Sequence, residues 1–442
     1  MAKGTKKKET LTPEEKLQQA LVPVEEQPYP VPENWCWVYG LGFLEQMETK
    51  KPTGDYFKYI DIDAIDNKRQ IVSKPKVLPV NEAPSRASRY LHEGDTVFSM
   101  VRPYLKNIAY IDKSIADSIA STGFYVCTPR KNVNKRYCYF LMTSPYVIGG
   151  LNSFMKGDNS PSIRKEELEH FPYPLSPLPE QQRIVARIES LFAKLDEVKE
   201  KAQAIVDGYE DRKAAILHKA FTGELTVKWR EEKGIDYNSW KKEQFANVTI
   251  NLDHKRIPLS KAERANLTKI YDYYGASGII DKVDKFIFDG RYLLIGEDGA
   301  NLVMRSKPIA FIAEGKFWVN NHAHIIETKS DITIDFLCFF INSIDLIPFV
   351  TGSAQPKMTQ AKMNTIPVPV PTIQEQKRIV SLISETLNNE ETVKSIAQSV
   401  LDQIDTMKKS ILARAFRGEL GTNDPADEPA VELLKKVLEE EK

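Results

Sequence analysis

The sequence predicts an α+β protein in which two mixed α/β domains are joined by two long antiparallel coiled-coil helices, with a pseudo-twofold internal repeat. Three observations support this prediction: one helical sequence occurs twice, its apolar residues follow a heptad spacing, and two unlike segments of similar length precede the two copies. The alternative that the sequence leaves open is that each long helix packs only on its own domain.

The repeat is clearest at the two ends of the predicted helices. "EQQRIV" at Glu180–Val185 returns 195 residues later as "EQKRIV" at Glu375–Val380. Forty residues on, "ILHKAFTGEL" from Ile216 returns with the same offset as "ILARAFRGEL" from Ile411. Because a segment of about 50 residues tolerates no insertion between its copies, we expect each copy to be one rigid element.

Apolar residues recur at alternating spacings of three and four in both copies, which is the pattern of a coiled-coil seam. In the first copy the seam runs from Ile184 to Ile216 and is interrupted only by Arg212, and in the second copy it weakens at Thr386 and Glu390. A single narrow apolar stripe on a helix of about 40 residues needs a second helix to cover it. The simplest partner is the other copy.

Start and stop signals bound each predicted helix. Glu180 and Glu375 lie in the first turns, where the helix dipole favours a negative charge, and prolines precede both. Gly223 and Gly418 stand where a left-handed residue commonly ends a helix. The predicted segments are an N-terminal extension (1–27), a first domain (28–175), a first spacer helix (176–225), a second domain (226–370), a second spacer helix (371–420) and an acidic C-terminal tail (421–442).

Composition and charge limit the function classes. Lys+Arg and Asp+Glu both total 61, which excludes a chain that is basic throughout, although basic residues are in excess between positions 27 and 165. No apolar run approaches the ~18 residues that cross a bilayer, and residues 1–10 are basic and polar, so we expect a cytoplasmic protein. The four scattered cysteines are predicted to be buried thiols.

Catalytic and cofactor motifs are missing or incomplete in the sequence. It contains no GxxxxGK[ST] phosphate loop, and "YGLGFL" lacks the third glycine of a dinucleotide fingerprint. His322 and His324 share one face of a predicted strand, as metal ligands do, but no acidic or Cys ligand lies near them in sequence. Glu297, Asp298 and Lys307 match a nuclease's acid-acid-lysine set only loosely. We therefore predict no catalytic residue, no metal site and no cofactor.

The duplicated helix resembles that of a known family. A "PLPEQQRIV" entry into a long helix that ends "ILHKAFTGEL", present twice around two diverged domains, is similar to the specificity (S) subunits of Type I restriction-modification enzymes. The phrases "GDTVFSMVRPYLKNIA", "FDGRYLLIGEDGA" and "FWVNNHAHII" look like stretches of that family's target recognition domains. The likeness extends from Pro28 to Leu420.

This resemblance implies a non-catalytic DNA-specificity subunit. Each target recognition domain would read one half of a bipartite site in double-stranded DNA, and the helices would set the spacer and dock two methyltransferase (M) subunits. Restriction/motor (R) subunits would join the full complex, and no membrane is involved. A helix of ~60 Å suits this role, because B-DNA turns once per ~34–36 Å. The alternative is a coiled-coil scaffold or adaptor without DNA readout.

The candidate DNA contacts are loop residues of the types that bind phosphates and base edges. In the first domain they are Arg86, Arg89, Arg102, Lys106, Lys156, Asn159, Ser160 and Arg164; in the second they are Tyr273, Tyr274, Ser277, Asn301, Asn320, Asn321, His322, Gln355 and Lys357. For each of them, a solvated loop residue or a turn former is an equally open interpretation. Pro161 and Pro356 share the offset of 195, which predicts that their loops occupy matching places.

Two terminal segments lie outside the duplicated frame. "LTPEEKLQQALV" near the N-terminus and "AVELLKKVLEEEK" at the C-terminus both have an amphipathic pattern. Alone, each would be a marginal helix. We expect them to pack either on the frame or on a partner protein, and the sequence leaves these two alternatives open.

Overall fold

A computed structural model of the chain describes residues 12–131, 133–236, 240–352 and 355–440. The described chain forms two compact units: unit 1 consists of the residues up to Lys201 and from Val400 onward, and unit 2 consists of residues 202–399. A search of the described part finds no helix that is long and apolar enough to span a bilayer. The basic residues 1–10 lie outside the described part.

Helices and strands are mixed in both units, as the α+β prediction requires. The helices are α1 Pro13–Ala20, α2 Gly40–Phe43, α3 Lys135–Met142, α4 Pro145–Asn152, α5 Lys165–Glu169, α6 Leu178–Asp207, α7 Tyr209–Phe221, α8 Val227–Lys233, α9 Phe245–Val248, α10 Lys261–Ala265, α11 Asn301–Met304, α12 Ile334–Ser343, α13 Gln360–Met363, α14 Ile373–Ala415 and α15 Ala430–Glu440.

The strands of unit 1 have at most five residues, whereas unit 2 also contains longer ones. They are β1 Cys36–Tyr39, β2 Tyr56–Ile60, β3 Ile65–Asp66, β4 Ile71–Val72, β5 Lys76–Pro79, β6 Ala87–Tyr90, β7 Thr96–Ser99, β8 Ile108–Tyr110, β9 Ile119–Ser121, β10 Phe124–Cys127, β11 Pro172–Leu175, β12 Lys241–Gln244, β13 Thr249–Asn251, β14 Tyr271–Gly275, β15 Gly278–Val283, β16 Phe288–Gly296, β17 Ala310–Val319, β18 Ala323–Thr328 and β19 Pro367–Val370.

The sheets differ between the units, but one pairing occurs in both. Unit 2 has a six-stranded sheet of order β13-β18-β16-β17-β14-β15, whereas unit 1 has a four-stranded sheet (β5-β2-β9-β6) and a three-stranded sheet (β10-β7-β8). In each unit the first strand of the domain pairs antiparallel with the proline-containing strand that precedes a long helix, β1 with β11 and β12 with β19. The entry to each long helix is therefore tied to the start of its domain.

The second long helix is continuous, but the first is interrupted. The helix α14 has 43 residues, whereas Gly208 separates α6 from α7. The guanidinium of Arg212 occupies the space beside this residue: a Cβ at Gly208 would lie 2.7 Å from Arg212 Nη1. Arg212 Nη2 donates to Ile205 O at 2.8 Å. Backbone hydrogen bonds still cross this residue, from Gly208 N to Ala204 O and from Arg212 N to Gly208 O, so the first helix is distorted locally where Arg212 packs back onto the preceding turn.

Within each unit, the beginning of one long helix packs against the end of the other. In unit 1, Ile188 of α6 and Leu412 of α14 belong to the same core, and Lys408 Nζ lies 2.5 Å from Asp196 Oδ1. In unit 2, Leu217 of α7 and Ile383 of α14 share a core. Both units therefore contain locally antiparallel helix packing.

The two charged residues that disturb the seam pair with each other in unit 2. Arg212 Nε donates to Glu390 Oε2 at 2.7 Å. The positions related to them by the sequence offset, Met407 and Leu195, line an open apolar groove of about 360 Å³ in unit 1. Met407 remains 44% exposed, so the seam is not fully covered there. The same pair of seam positions is thus occupied by an ion pair in unit 2 and by two apolar residues in unit 1.

The glutamates that begin the long helices are both fully buried. In unit 1, Glu180 accepts hydrogen bonds from Trp35 Nε1 at 2.6 Å, Asn423 Nδ2 at 2.9 Å and Thr422 Oγ1 at 3.3 Å. Burying a carboxylate is costly unless such donors replace water. The segment that follows the second long helix therefore returns to the start of the first.

Unit 2 repeats this arrangement with one difference. Glu375 accepts from Trp240 Nε1 at 2.9 Å, Thr226 Oγ1 at 2.7 Å and Arg230 Nη1 at 2.7 Å. Arg230 is itself only 5% exposed. The buried negative charge in unit 2 therefore has a buried positive partner, whereas the oxygens of Glu180 receive neutral donors.

The two units also share the contacts of a glutamine near the start of each long helix and a glycine near the end. Gln181 Oε1 accepts from Asn134 N, which caps α3, and Gln376 Oε1 accepts from Thr333 N, which caps α12; both distances are 2.7 Å. Gly418 is left-handed with φ of 74°, as predicted, and a Cβ there would lie 2.4 Å from Pro32. A glycine is required at this helix end by both conformation and space.

The terminal helices pack on unit 1. The helix α1 contacts α15, and Ala20, Leu434 and Leu438 belong to the unit 1 core. This resolves the alternatives left open by the sequence in favour of packing within the chain. The thiols are free: Cys127 and Cys138 are buried as predicted, while Cys36 and Cys338 are half-buried.

Candidate nucleic-acid interface

In unit 1, two loops that carry candidate residues are joined by backbone hydrogen bonds. Arg102 N donates to Pro161 O at 2.8 Å and Ile163 N donates to Met100 O at 2.9 Å. Lys156 and Ser162 form a β-bridge across the second loop. These bonds bring together four of the predicted site residues, namely Arg102, Lys156, Asn159 and Ser160.

Unit 2 builds the same loop pair at matching positions. Gly299 N donates to Pro356 O at 3.0 Å and Met358 N donates to Glu297 O at 2.8 Å. Thr351 and Lys357 form the β-bridge, 195 residues after the bridge between Lys156 and Ser162. The backbone frame beneath the two candidate surfaces is therefore the same.

Side chains add a third loop to the pair in unit 2. His322 Nδ1 lies 2.8 Å from Asp298 Oδ2, and Lys357 Nζ lies 3.1 Å from Glu297 Oε1. Asn320 N donates to Tyr274 O at 3.0 Å, and Asn320 Oδ1 accepts from His322 N. The structure thus brings together four residues predicted in the second domain, namely Tyr274, Asn320, His322 and Lys357.

A buried charge cluster supports these three loops. His324, 1% exposed, places Nδ1 2.6 Å from Asp253 Oδ2 and Nε2 2.8 Å from Met358 O. Arg256 Nη1 donates to Glu297 Oε2 at 2.7 Å, and its Nη2 lies 3.3 Å from Asp253 Oδ2. Because both ring nitrogens of His324 face acceptors, the imidazole bridges Asp253 to the second loop of the pair.

The two carboxylates of this cluster are held ionised. Burial by itself raises the pKa of Asp253, but hydrogen bonds from His324 and Ile325 outweigh burial and leave the pKa below its ordinary value of 3.8. Burial by itself also raises the pKa of Glu297. Arg256, His324 and Lys357 outweigh burial and leave this pKa below its ordinary value of 4.5. The net effect is a stable set of opposite charges under the loops.

Metal and nuclease chemistry do not fit this cluster as well as ion pairing does. Donor atoms of Asp253, Glu297 and His324 lie within 4.8 Å of one another, as metal ligands can. Arg256 already contacts both carboxylates, and Lys357 contacts one of them. The acidic ligands that sequence spacing did not reveal are therefore already engaged by two cationic side chains.

The remaining candidates lie apart or serve the fold. Tyr273 is 1% exposed, and its hydroxyl contacts Leu259 N and O, so this side chain belongs to the interior rather than to the surface predicted for it. Asn320 is 6% exposed and caps a turn. The exposed positions are Arg86, Arg164, Ser277, Asn321 and Gln355, and the half-buried ones are Arg89 and Tyr274.

Lys106 lies close to charged residues of α14. Burial lowers the pKa of its ammonium group, and the nearby Lys409 of α14 lowers it further. Asn301 is also turned inward: its Oδ1 accepts from Lys307 N at 3.0 Å. Sequence reasoning chose these residues by type, and it had no signal for the folded contacts that engage them.

Comparison with known proteins identifies the family. The Type I restriction modification DNA specificity domain matches residues 44–206 and 237–401, once in each half of the chain. The chain belongs to this family of specificity-subunit proteins.

Particular relatives carry the same description. The EcoDI specificity subunit of Escherichia coli is 23% identical over 451 residues, covering 93% of this chain and 96% of the relative. The StySPI specificity subunit of Salmonella potsdam is 24% identical over 341 residues, covering 71% of this chain and 73% of the relative. A Haemophilus influenzae protein that bears the name of a type I restriction enzyme specificity subunit, S.HindORF215P, is 34% identical, but the match spans only 36% of its length.

Solved structures support the same fold. The HsdS subunit of Thermoanaerobacter tengcongensis matches with a TM-score of 0.71 and 24% identity, covering 90% of this chain and 100% of that subunit. A chain of a type I R-M system studied for complex assembly and conformational transition matches with a TM-score of 0.64 and 22% identity, over 89% of this chain. These likenesses establish a shared α+β fold with two domains.

Proposed function

We propose that the chain is a non-catalytic DNA-specificity subunit of a Type I restriction-modification enzyme. Each β-rich domain reads one half of a bipartite site in double-stranded DNA. The observation that carries this proposal is the matched loop pair, in which Arg102 and Pro161 in unit 1 and Gly299 and Pro356 in unit 2 make the same backbone bond. One frame that presents two different loop surfaces suits the reading of two different half-sites.

The long helices serve as the spacer in this proposal, and they form an antiparallel coiled coil with pseudo-twofold symmetry. Locally antiparallel packing in each unit and the repeated glutamate and glutamine contacts support this arrangement. A helix of 43 residues is about 65 Å long, between one and two turns of B-DNA. The helices also dock two methyltransferase subunits, and restriction/motor subunits join them in the full complex.

DNA binding is expected to combine phosphate contacts with a few base contacts. Exposed cations of the loop pairs, such as Lys156 and Lys357, suit phosphate binding because their side chains reach solvent at the edge of a rigid frame. The chain supplies specificity, and the methyltransferase and nuclease subunits supply the chemistry.

Methylome sequencing tests this proposal. The genome of the host is sequenced for modified bases with the gene present and with the gene deleted. We expect a split motif, two short specified parts around a nonspecific gap, to be methylated only when the gene is present. An identical set of methylated motifs in both strains would favour a scaffold protein without DNA readout.

A further inference from the structure

Each loop pair carries a short turn at the same place in the frame. The first apolar turn, residues 102–106, begins with Arg102, whose N–H donates to Pro161 O at 2.8 Å. The second apolar turn, residues 299–305, begins with Gly299, whose N–H donates to Pro356 O at 3.0 Å. The turns therefore occupy corresponding positions although their sequences differ.

Three polar side chains of the two turns form hydrogen bonds within the protein. Arg102 Nη2 donates to Asn159 O at 2.6 Å, and Arg305 Nη2 donates to Asn342 O at 2.8 Å. Asn301 Oδ1 accepts from Ser306 Oγ and Lys307 N. Arg102, Asn301 and Arg305 are thus engaged in contacts within the protein.

Apolar side chains are what the turns present to solvent. Tyr104 and Leu105 are 45% and 40% exposed, and Val303 and Met304 are 50% and 73% exposed. Adjacent exposed apolar groups rimmed by polar residues are a feature of binding surfaces, whereas single exposed apolar residues are common. Both units thus have exposed apolar side chains on the corresponding turn, although the sequences of the turns differ.

The backbone of the turns is strained at residues other than glycine. Arg102, Lys106 and Arg305 adopt left-handed conformations with φ of 48°, 57° and 52°. Such conformations are unfavourable for side chains with a Cβ, and they concentrate at functional sites. The hydrogen bonds from Arg102 and Arg305 hold the two turns in these conformations.

Charge near the turns favours DNA as the molecule that covers them. Lys156 and Arg164 flank the first turn in the loop bonded to it, and Lys307 and Lys357 flank the second turn; all four are exposed. An apolar tip between cations suits the DNA groove, where phosphates border base edges and the thymine methyl group is the apolar feature of the major groove.

We propose that the two apolar turns enter the DNA groove, one in each half-site, and read thymine through its methyl group. This inference rests on the proposed function, because it assigns part of the base readout within it. Tyr104 and Leu105 act in the half-site bound by unit 1, and Val303 and Met304 act in the half-site bound by unit 2.

The first experiment selects DNA from a pool. The full chain, purified with its methyltransferase subunits, is mixed with duplexes of randomised sequence, and the bound duplexes are sequenced. Val303→Ala/Met304→Ala is expected to lose a thymine preference in one half of the selected motif, and Tyr104→Ala/Leu105→Ala to lose one in the other half. Val77→Ala and Ile270→Ala, at exposed side chains outside the turns (64% and 54%), keep the wild-type motif.

The second experiment removes the methyl group instead of the side chain. Uracil replaces thymine, one position at a time, in the selected duplex. Wild-type binding is expected to weaken about threefold to fivefold at each thymine that is read, the value for burying one methyl-sized group. Val303→Ala/Met304→Ala is insensitive to the replacement in its half-site. Met304→Gln preserves side-chain length and shows the same insensitivity, which separates apolar contact from a change in fold.

Three results would overturn the inference. Turn variants that keep every base preference of the wild type would show that the turns do not read DNA. Variants that keep the motif but no longer co-purify with methyltransferase subunits would assign the turns to a protein contact. A wild-type complex that selects no motif would remove the proposed function itself, and this inference with it.

Discussion

The two units hold their candidate loops with the same backbone bonds over different side chains. At the positions that bond the second loop, unit 1 has Met100 where unit 2 has Glu297, and the neighbouring strand has Tyr125 where unit 2 has His324. Unit 1 therefore supports its loops on apolar contacts, and unit 2 supports them on a charge cluster. The backbone frame is independent of the chemistry beneath it, so either loop surface can change without altering the frame.

The largest expected difference between the units concerns the buried glutamates. Glu375→Gln breaks a buried ion pair with the guanidinium of Arg230, which is 5% exposed, and we expect it to lower the free energy of unfolding by about 3–5 kcal/mol. Glu180→Gln disturbs only neutral donors, and a loss of about 1–3 kcal/mol is expected. Urea denaturation of the full chain measures both losses.

A matched control for these variants lies on the same helix as Glu180. Glu197 is 64% exposed and pairs with Lys201 in solvent, so Glu197→Gln should leave the unfolding midpoint unchanged. Equal losses for Glu180→Gln and Glu375→Gln would contradict the view that Arg230 sets the units apart.

A smaller difference in stability is expected between His324 of unit 2 and Tyr125 of unit 1, the matching residues beneath the loop pairs. His324→Leu removes donors from the carboxylate of Asp253 and from Met358 O, and a loss of about 1–3 kcal/mol is expected because both acceptors stay buried. Tyr125→Phe at the matching position removes only a 3.5 Å contact with Glu169 and should cost less than about 1 kcal/mol. Thermal denaturation compares the two variants, and a larger loss for Tyr125→Phe would be incompatible with the proposed support.

The charge cluster also predicts that the stability of unit 2 depends on pH. Unit 1 has the uncharged Met100 at the position of Glu297 and lacks this contribution. The pKa values of Asp253 and Glu297 lie below their ordinary values of 3.8 and 4.5, so their contribution is complete above these values and is lost as the pH falls. The wild type should therefore keep its advantage over Asp253→Asn/Glu297→Gln at neutral pH and lose it progressively over the acid range below 4.5. Unfolding measured across this range checks the sign; an advantage that grows in acid would refute it.

The smallest expected effect concerns the helix seam. Arg212→Met/Glu390→Leu gives unit 2 the residues that unit 1 has at the offset positions, Met407 and Leu195. The ion pair is partly solvent-exposed, at 36% and 24%, so its replacement should change the free energy of unfolding by no more than about 1 kcal/mol. Urea denaturation again provides the measurement, and a loss as large as that of Glu375→Gln would show that the pair is essential.

Regular spacing made much of the frame predictable. The 195-residue offset, the heptad pattern and the left-handed Gly223 and Gly418 all follow local rules, and the structure has helices ending at both glycines. Glu180 and Glu375 were visible as helix-start acids. Their burial was not, because Trp35 and Trp240 reach them from 145 and 135 residues away in the chain.

The loops were less predictable than the helices. Residue type alone nominated Tyr273, which is buried, and it passed over Asp253 and Arg256, which complete the cluster around His324. Gly208 distorts the first helix beside the side chain of Arg212, a local contact that apolar periodicity does not reveal. Contacts distant in sequence decide which loop side chains remain available.

In the proposed function, each domain reads its own half of one DNA site. Exchanging residues 28–175 for the corresponding domain of a relative with a different motif, followed by methylome sequencing, tests this claim most directly. We expect one half of the methylated motif to change to that of the relative, while the other half remains the same. A change in both halves, or in neither, would contradict the account.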